Sequence, residues 1–502
     1  PSGTIPTKGE CHASIDLDTP PSAQEQQVMR MVRQLVVVAA LLNLVGCVTT
    51  NAIHYTVQLG EPLTEEACAV PAPTKIPEQI VGVAMSGGGS RASVFSAAVM
   101  EALWEHGYID LVTHISSVSG GSLAGAYFAA NLPACGALSS TEEQDVCWRE
   151  FFADYKLAMR SHFFKSMASR QTSNFRFASN TRLAISLQET LDAQFLNGMT
   201  FGDLADKNAS MVSDGLFPPV LMVNATSYDN ARRLVFSNMC LSENPPATAN
   251  DIGRSPLDNP ALRGHGIAPP GCNLSAPKDM PLSLAVTTSA AFPGFVGPIT
   301  IEVPATCDGE GLEYWHLADG GLADNSGLDS IDEVILRQLR AEPRILQRAL
   351  VLSVANTLTE DETDLRQIKN FWPSQHSGQG ILAYTGRSDG YRQLFWEQFK
   401  TDLATDGIVV ENIEFPIMAA NLDHWPDSCP QAARSAKQDP EQVRAEIAEA
   451  VATVPTAYSI SECNADLLEL AAHDVVGSRL DAATRERLAD IGCVARKTGV
   501  AN

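Results

Sequence analysis

The chain lacks several features that would each indicate a class of function. It has no CxxC pair and no cluster of histidine and cysteine with metal-ligand spacing, so we expect no metal ion and no cofactor. Its 35 Lys and Arg residues stand against 59 Asp and Glu residues, and the formal net charge of −24 disfavours nucleic acid as a partner. With 502 residues, 45% of them hydrophobic, the chain is expected to form one large globular domain with additions.

A short apolar run near the start of the chain is typical of an export signal. The eleven residues 35–45, LVVVAALLNLV, follow Arg30 and Arg33 and are too few to span a bilayer as a helix. The run ends in LVGC, residues 44–47, which resembles the bacterial lipobox, where the cysteine is lipidated and becomes the first residue. A buried apolar helix with an incidental cysteine is the alternative.

The lipobox interpretation leads to several expectations about the mature protein. Translation would begin near Met29 or Met31, and residues 1–46 would be upstream residues and a signal peptide. Cys47 would carry several acyl chains and bind the protein stably to a membrane surface. We therefore expect a lipid-anchored protein of the bacterial cell envelope, at the outer membrane or the periplasmic face.

Export changes what the cysteines can do. Nine of the eleven cysteines follow Cys47, and outside the cytosol some of them can form disulfides. The pairs closest in sequence are Cys135 with Cys147 and Cys429 with Cys463. The sequence leaves the connectivity open.

The pattern of apolar runs divides the chain into segments. Residues 47–79 mix Thr, Pro and Glu without periodicity, which indicates a tether. Over residues 80–356 apolar runs alternate with amphipathic helices, which is typical of an α/β domain with a parallel sheet. Residues 357–502 show mostly helical periodicity. The predicted strands are residues 80–85, 111–118, 220–227, 232–237, 314–320 and 349–356, and helices are predicted up to residue 107, over 122–131 and within 139–200.

A serine-rich and glycine-rich stretch, HISSVSGGSLAG, lies where the second predicted strand meets a helix. A nucleophile elbow at this position needs small residues two before and two after its serine, and Ser119 has Ser117 and Gly121 there. Ser122 also has small neighbours, but it falls where the helix requires its N-cap. Because Ser117 replaces the first glycine of the usual pattern, a plain glycine-rich turn is the alternative.

A second glycine stretch, SGGGSRAS, follows the first predicted strand. Successive glycines leave main-chain N–H groups unshielded at a helix N-terminus, where an anion or an oxyanion can be held. The glycines concerned are Gly87, Gly88 and Gly89. They are therefore candidate oxyanion donors.

The same stretch also fits the dinucleotide pattern GxGxxA through Gly87, Gly89 and Ala92. That pattern calls for an acidic residue about twenty positions later, at the end of the next strand. Asp110 comes before that strand, and the strand ends in the candidate elbow instead. The dinucleotide interpretation is therefore disfavoured.

A third stretch, HLADGGLADNSG, places Asp319 at the end of an apolar run. Gly320 and Gly321 let the chain turn sharply behind it, so the carboxylate can project at the same sheet edge as the elbow. An ordinary turn would also fit Asp-Gly-Gly. The order of a glycine loop, an elbow serine and a strand-end aspartate 200 residues after that serine favours a catalytic site.

These three stretches resemble the patatin-like phospholipases over residues 80–330. Residues 224–237, NATSYDNARRLVFS, are similar to the family's paired strands, and residues 288–299, TSAAFPGFVGPI, to its loop before the aspartate strand. The resemblance implies a three-layer α/β/α hydrolase fold with a mainly parallel sheet, and a Ser–Asp dyad without histidine. With the change of pattern after residue 356 as its end, the predicted patatin-like catalytic domain covers residues 80–356.

The resemblance also implies a role for single residues. Ser119 matches the nucleophile and Asp319 its base, while Arg91 matches the basic residue usual in the glycine oxyanion loop, formed by Gly87, Gly88 and Gly89. The sequence departs from the family pattern at three positions, each occupied by a small residue. These are Ser117 in the elbow, Ala92 in the oxyanion pattern and Gly327, where the family often has proline.

A carboxylate with a pKa near 3.9 is a weak base for a serine hydroxyl, so the dyad requires a partly desolvated Asp319. His114 and His316 are the nearby alternatives that would make a Ser–His–Asp triad. His114 is five residues before Ser119, and His316 points to the opposite face of an extended chain from Asp319. A histidine with its own hydrogen bonds fits both positions better.

Residues 148–170 combine aromatic and basic side chains in an otherwise acidic chain. They form either a cap that rests on anionic lipid or a helix pair that buries its aromatic stripe. Together the motifs predict a lipid-anchored serine acyl hydrolase that cleaves acyl esters of phospholipids or related lipids through an acyl-enzyme. The alternatives are a catalytically weak lipid-binding or scaffold lipoprotein of the same fold, and a Ser–His–Asp carboxylesterase.

Overall fold

The computed structural model describes residues 53–58, 74–174, 180–237, 266, 278–293, 295–306, 309–340, 345–356, 396–401, 403–405, 407–435 and 438–495. They all lie in the unit Asn51–Asn502. The predicted signal peptide and the lipidated Cys47 lie outside the described residues. Within these ranges, no helix combines the length and the apolar character needed to cross a bilayer.

A nine-stranded sheet runs through this unit. Its strands are β1 (Ile53–Thr56), β2 (Gln79–Met85), β3 (His114–Val118), β4 (Val220–Ser227), β5 (Arg233–Phe236), β6 (Ile299–Pro304), β7 (Leu312–Asp319), β8 (Arg348–Ala355) and β9 (Val409–Pro416). The strand order is β1-β6-β7-β4-β3-β2-β8-β9, and β5 pairs with β4. Five neighbouring strands of the sheet are parallel, namely β4, β3, β2, β8 and β9. Strands β5 and β7 run antiparallel to β4.

Helices lie on both faces of the sheet. They are α1 (Gly89–Glu105), α2 (Gly120–Asn131), α3 (Thr141–Met159), α4 (Phe163–Ser173), α5 (Asn180–Leu191), α6 (Phe201–Ser213), α7 (Leu282–Ser289), α8 (Leu328–Arg340), α9 (Ala432–Ser435), α10 (Pro440–Ala452), α11 (Glu462–Arg479) and α12 (Ala482–Asp490). Helices α1, α2 and α11 share a large apolar core with one sheet face, and α8 shares a second core with the other.

Alternation along β2 explains why this strand is apolar throughout. Val81, Val83 and Met85 face the larger core, while Ile80 and Ala84 face the core beneath α8. A parallel strand covered by helices on both faces has no polar side, because neither face meets water. The structure therefore has the predicted α/β class, with a mainly parallel central sheet between helical layers.

The bounds of several elements differ from those predicted. The predicted strand 111–118 begins only at residue 114, because Ile109–Leu111 forms a 3-10 turn. Ile53–Thr56, within the predicted tether, pairs with β6 at the edge of the sheet. After residue 356, β9 pairs with β8 and α11 packs on α1, so this mostly helical region adds a strand to the sheet. The domain division itself stays a prediction.

The aromatic stripe of residues 148–159 is part of the larger core. Trp148, Phe151, Phe152 and Tyr155 are buried on α3. The basic residue Lys156 lies 2.7 Å from a carboxylate oxygen of Glu101. For α3 the structure supports a buried aromatic stripe, with Lys156 ion-paired, rather than a lipid-facing cap.

Both cysteine pairs that lie closest in sequence form disulfides. Cys135 bonds to Cys147, and Cys429 bonds to Cys463. The first joins the turn after α2 to α3, and the second joins the segment before α9 to the start of α11. Each disulfide therefore fixes a helix that packs in the larger core.

Candidate active site

Ser119 occupies a strained turn between β3 and α2. Its φ of 51° and ψ of −120° lie in a region that non-glycine residues seldom adopt. The two residues that follow must be glycine, because a Cβ at Gly120 would overlap the carbonyl oxygen of Gly89 and one at Gly121 would lie 2.7 Å from that of Met85. The strand–turn–helix context is that of a nucleophile elbow.

Ser289, at the end of α7, holds this turn. Its Oγ accepts a hydrogen bond from the main-chain N–H of Ser119 at 2.8 Å and donates to the carbonyl oxygen of Asn224 at 2.5 Å. The Oγ of Ser122 lies 2.8 Å from the Ser289 Oγ. Ser289 is fully buried. Sequence reasoning did not assign it a role, although it lies in the stretch TSAAFPGFVGPI that carries part of the family resemblance.

Asp319 ends β7 beside the elbow. Its Oδ2 accepts a hydrogen bond from the Ser119 Oγ at 2.9 Å, and its Oδ1 accepts one from the Gly321 N–H at 2.8 Å. The main-chain N–H of Asp319 donates to the carbonyl of Ala291 at 3.0 Å. The structure thus brings together the two side chains that the sequence analysis singled out.

The turn behind Asp319 depends on Gly320 and Gly321. A Cβ at Gly320 would overlap the carbonyl oxygen of Asn224 on β4, and one at Gly321 would lie 2.9 Å from the Oδ1 of Asn325. Gly320 therefore lets the chain pass close to the end of β4, and at Gly321 a larger residue would require the Asn325 side chain to move.

Burial makes Asp319 a stronger base than a free carboxylate. Only 5% of the residue is exposed. Desolvation raises the pKa of its carboxyl to about 6, although the hydrogen bonds from the Gly321 N–H and the Ser119 hydroxyl oppose the rise. The carboxyl therefore ionises close to neutral pH.

The glycine loop lies against the elbow, but Gly87 is not a free donor. Its N–H donates to the carbonyl of Asn325 at 3.0 Å. Gly88, with φ 146°, precedes α1, and Gly89, with φ 60°, is its first residue. The N–H groups of the N-cap and of the first three residues of a helix have no acceptor within that helix. Of the three predicted oxyanion donors, Gly88 and Gly89 fit the role and Gly87 does not.

The predicted oxyanion role of Arg91 is not supported by its position. Its guanidinium donates from Nη1 to the carbonyl of Val454 and from Nη2 to that of Asn356, both at 3.0 Å. These two carbonyls come from regions far along the chain, after the predicted catalytic stretches. Arg91 is buried and joins the glycine loop to those regions.

The departures from the family pattern are accommodated locally. Ser117 is buried, and its Oγ donates to the carbonyl of Met222 on β4 at 3.2 Å. Ala92 belongs to the first turn of α1, and its N–H donates to the Gly88 carbonyl at 3.4 Å. Gly327 has φ 74°, a value that proline cannot adopt, and its carbonyl accepts a hydrogen bond from the Ser116 Oγ at 2.5 Å.

Neither predicted alternative histidine lies at the dyad. His114 begins β3, its Nδ1 lies 2.8 Å from the Thr113 Oγ1, and burial lowers its pKa to about 4. The Nδ1 of His316 lies 3.1 Å from the Thr300 Oγ1. In the part of the chain that the structure describes, no group of three His, Cys, Asp or Glu side chains is arranged to hold a metal ion.

Residues 83–332 match the family model described as patatin-like phospholipase. Comparison with curated proteins gives no match. Among solved structures, human GIVD cytosolic phospholipase A2 has 11% identity and a TM-score of 0.42, with 95% of this chain and 68% of that chain covered. The same human enzyme in complex with methyl gamma-linolenyl fluorophosphonate has 13% identity and a TM-score of 0.40, with 91% of this chain and 62% of that chain covered. VipD from Legionella pneumophila has 14% identity and a TM-score of 0.25, with 81% of this chain and 72% of that chain covered. The chain thus spans about two thirds of the length of the human structures.

The family match contains the glycine loop, the elbow serine and the strand-end aspartate. These are the three stretches on which the resemblance in the sequence depended. On the evidence of residues 83–332, the chain belongs to the patatin-like phospholipase family.

Proposed function

We propose that the protein is a serine acyl hydrolase that cleaves acyl esters of phospholipids or related lipids, with Ser119 as nucleophile and Asp319 as general base. The observation that carries the proposal is the 2.9 Å hydrogen bond from the Ser119 Oγ to the Asp319 Oδ2. A nucleophile and its base within hydrogen-bonding distance are the minimal unit of this chemistry. Membership of a phospholipase family supports a lipid ester as substrate.

The first half of the reaction forms the acyl-enzyme. The Ser119 Oγ attacks the ester carbonyl carbon while its proton passes to Asp319, and the carbonyl oxygen becomes an oxyanion. The N–H groups of Gly88 and Gly89 and the N-terminal end of α1 stabilise this negative charge. The C–O bond then breaks, and the leaving alcohol takes the proton from Asp319.

The second half releases the acyl group. Water attacks the acyl carbon and gives its proton to Asp319, and a second tetrahedral oxyanion forms against the same N–H groups. When this intermediate collapses, the carboxylic acid leaves and the proton returns to the Ser119 Oγ. The buried carboxyl of Asp319, with a pKa of about 6, is poised to accept and return a proton in both halves.

A fluorophosphonate probe and a panel of p-nitrophenyl esters and phospholipids test the proposal. Wild-type protein is expected to be labelled at Ser119 and to hydrolyse esters, and Ser119→Ala to lose both. Ser213→Ala, which removes the hydroxyl of a surface serine at the end of α6, is the matched control and keeps both. Folded wild-type protein without labelling or turnover would instead favour a lipid-binding or scaffold protein of the same fold.

We also propose that Cys47 is lipidated and holds the protein in the bacterial cell envelope, at the outer membrane or the periplasmic face. The LVGC stretch supports this proposal. So do the two disulfides, because disulfides persist in oxidising compartments. Mass spectrometry of the mature N-terminus is expected to find an acylated Cys47, and Cys47→Ala to release the protein from membranes. An unmodified Cys47 would remove the anchor and leave the enzymatic proposal intact.

A further inference from the structure

A segment outside the family match lies directly on the glycine loop. This segment, residues 454–458, is here called the C-terminal segment. The carbonyl of Ala457 accepts a hydrogen bond from the Ser90 N–H at 2.8 Å, and a Cβ at Gly89 would lie 2.6 Å from the same oxygen. The carbonyl of Val454 accepts from the guanidinium of Arg91. The C-terminal segment therefore contacts the first three residues of α1, which begins with the candidate oxyanion donor Gly89.

Tyr458 extends this contact into a cluster of aromatic rings. Its ring stacks on that of Phe295, with centroids 5.3 Å apart and planes at 17°, and meets the ring of Phe163 edge-on at 6.0 Å. Its hydroxyl donates to the carbonyl of Ala290 at 3.4 Å. We call Phe163, Phe295 and Tyr458 the aromatic wall. It combines α4, the loop after α7 and the C-terminal segment.

The aromatic wall lies next to the dyad. Ala290, which accepts from Tyr458, lies between Ser289, which binds the Ser119 N–H, and Ala291, which binds the Asp319 N–H. The electrostatics agree with this placement. Burial raises the pKa of the Tyr458 phenol, and the negative charge of Asp319 raises it further, so the ring stays neutral.

The exposure of the aromatic wall changes along its length. Phe163 is 5% exposed, whereas Phe295 is 43% exposed. The three rings therefore extend from a buried position at Phe163 to a partly exposed one at Phe295. An acyl chain whose carbonyl carbon lies at Ser119 needs an apolar surface to bind to, because moving apolar groups out of water lowers the free energy.

We propose that Tyr458 is a specificity-determining residue whose ring, together with Phe163 and Phe295, contacts the acyl chain of the substrate and favours longer chains. This inference rests on the proposed function and deepens it. It also gives the C-terminal region a role in the active site. The ring, rather than the hydroxyl, makes the contact, because the hydroxyl already bonds to Ala290.

The test compares hydrolysis of p-nitrophenyl octanoate and p-nitrophenyl acetate by the full chain. The measured quantity is the octanoate-to-acetate ratio of kcat/KM. Tyr458→Ala is expected to lower this ratio about tenfold, because one or two methylene contacts are lost. Tyr458→Phe keeps the ring and is expected to keep the ratio. Tyr314→Ala removes a half-exposed aromatic side chain of β7 outside the aromatic wall and serves as the control.

Three outcomes separate this inference from its alternatives. A ratio that is unchanged or raised in Tyr458→Ala overturns the inference and leaves the proposed function standing. Equal losses for both esters also overturn it, because they would show that Tyr458 only supports the loop. A wild-type protein that is inert to both esters and unlabelled at Ser119 overturns the proposed function and the inference with it. Phe295→Ala gives the same test if Tyr458→Ala does not fold, since Phe295 is 43% exposed.

Discussion

The main-chain N–H of Ser119 donates a hydrogen bond to the Oγ of Ser289 at 2.8 Å, across 170 residues of sequence. Two residues beyond Ser289, the carbonyl of Ala291 accepts from the main-chain N–H of Asp319. One short segment at the end of α7, residues 289–291, thus holds the backbone of both dyad residues. Because Ser119 sits at a positive φ, its orientation depends on such outside support.

Ser289→Ala is expected to lower kcat by about tenfold to a hundredfold. The substitution removes the partner of the partly buried Ser119 N–H and of the buried Asn224 carbonyl, at a cost of about 1–3 kcal/mol for the buried group. The KM should change less, because Ser289 is buried beneath the elbow. Steady-state kinetics and the rate of fluorophosphonate labelling measure the effect.

Ser283→Ala is the matched control for this substitution. Ser283 lies on the same helix and is equally buried, but its Oγ has no hydrogen-bond partner within the described residues. Its loss should leave kcat close to that of the wild type. If both variants lost kcat to the same degree, the effect would be a general loosening of α7 and the positioning role of Ser289 would be wrong.

The dependence of kcat/KM on pH should report the ionisation of Asp319. The carboxyl accepts the serine proton only when it is ionised, and burial raises its pKa to about 6. The ratio kcat/KM is therefore expected to rise with pH, reaching half its plateau near pH 6. Measurement between pH 4 and pH 8 gives the profile.

Substitution of the two histidines checks that profile. His114→Gln and His316→Gln should leave the half-maximal pH unchanged, because both imidazoles bond to threonine hydroxyls rather than to Asp319. If either variant lost the rise of kcat/KM near pH 6, the result would indicate a Ser–His–Asp triad instead. A midpoint near pH 4 would show that burial does not raise the pKa of Asp319.

Asp319→Asn is expected to abolish turnover and at the same time to stabilise the fold. A folded-state pKa of about 6, against 3.8 for a free aspartate, means that the ionised carboxylate destabilises the folded state by about 3 kcal/mol above pH 6. Below about pH 4 Asp319 is protonated in both states, so the advantage of asparagine should vanish there. Thermal unfolding of both proteins from pH 4 to pH 8 measures the difference. An unfolding temperature of Asp319→Asn below that of the wild type at pH 8 would contradict the prediction.

Much of the dyad could be predicted because its signals are local. Ser119 and Asp319 each end an apolar run and precede glycines, and the carboxyl end of β3 and the end of β7 lie at the same level of β4. The register of the strands therefore brings the two side chains together. The near-continuous apolar character of β2 likewise indicates a buried strand before any contact is known.

The parts that could not be predicted depend on long-range packing. Whether the guanidinium of Arg91 faces the substrate or a carbonyl is decided by Val454, 363 residues later. The N–H of Gly87 is occupied only because Asn325 folds over it. The alternating polarity of β9, VVENIEFP, gave little contrast with the helical pattern around it, so this edge strand was missed.

A histidine on α11 joins the C-terminal region to α1. His473 on α11 lies 3.2 Å from an oxygen of Glu101 and 3.0 Å from one of Glu105, both on α1. Burial alone would lower the pKa of His473, but the hydrogen bonds and charges of the two glutamates outweigh it and raise the pKa to about 9. Glu101 also pairs with Lys156, and its own pKa is lowered.

His473→Gln is expected to lower the unfolding temperature at pH 7 and to have little effect at pH 10. The folded-state pKa of about 9 exceeds the value of 6.5 for a free histidine, so the stabilisation is complete below about pH 6.5 and is lost as the pH rises through 9. Calorimetry of the two proteins at both pH values measures the gap, with His424→Gln, at an exposed position, as the control. A gap equally large at pH 10 would show that His473 stabilises α11 by packing alone, because at that pH the imidazole is neutral and no longer pairs with the glutamates as a cation.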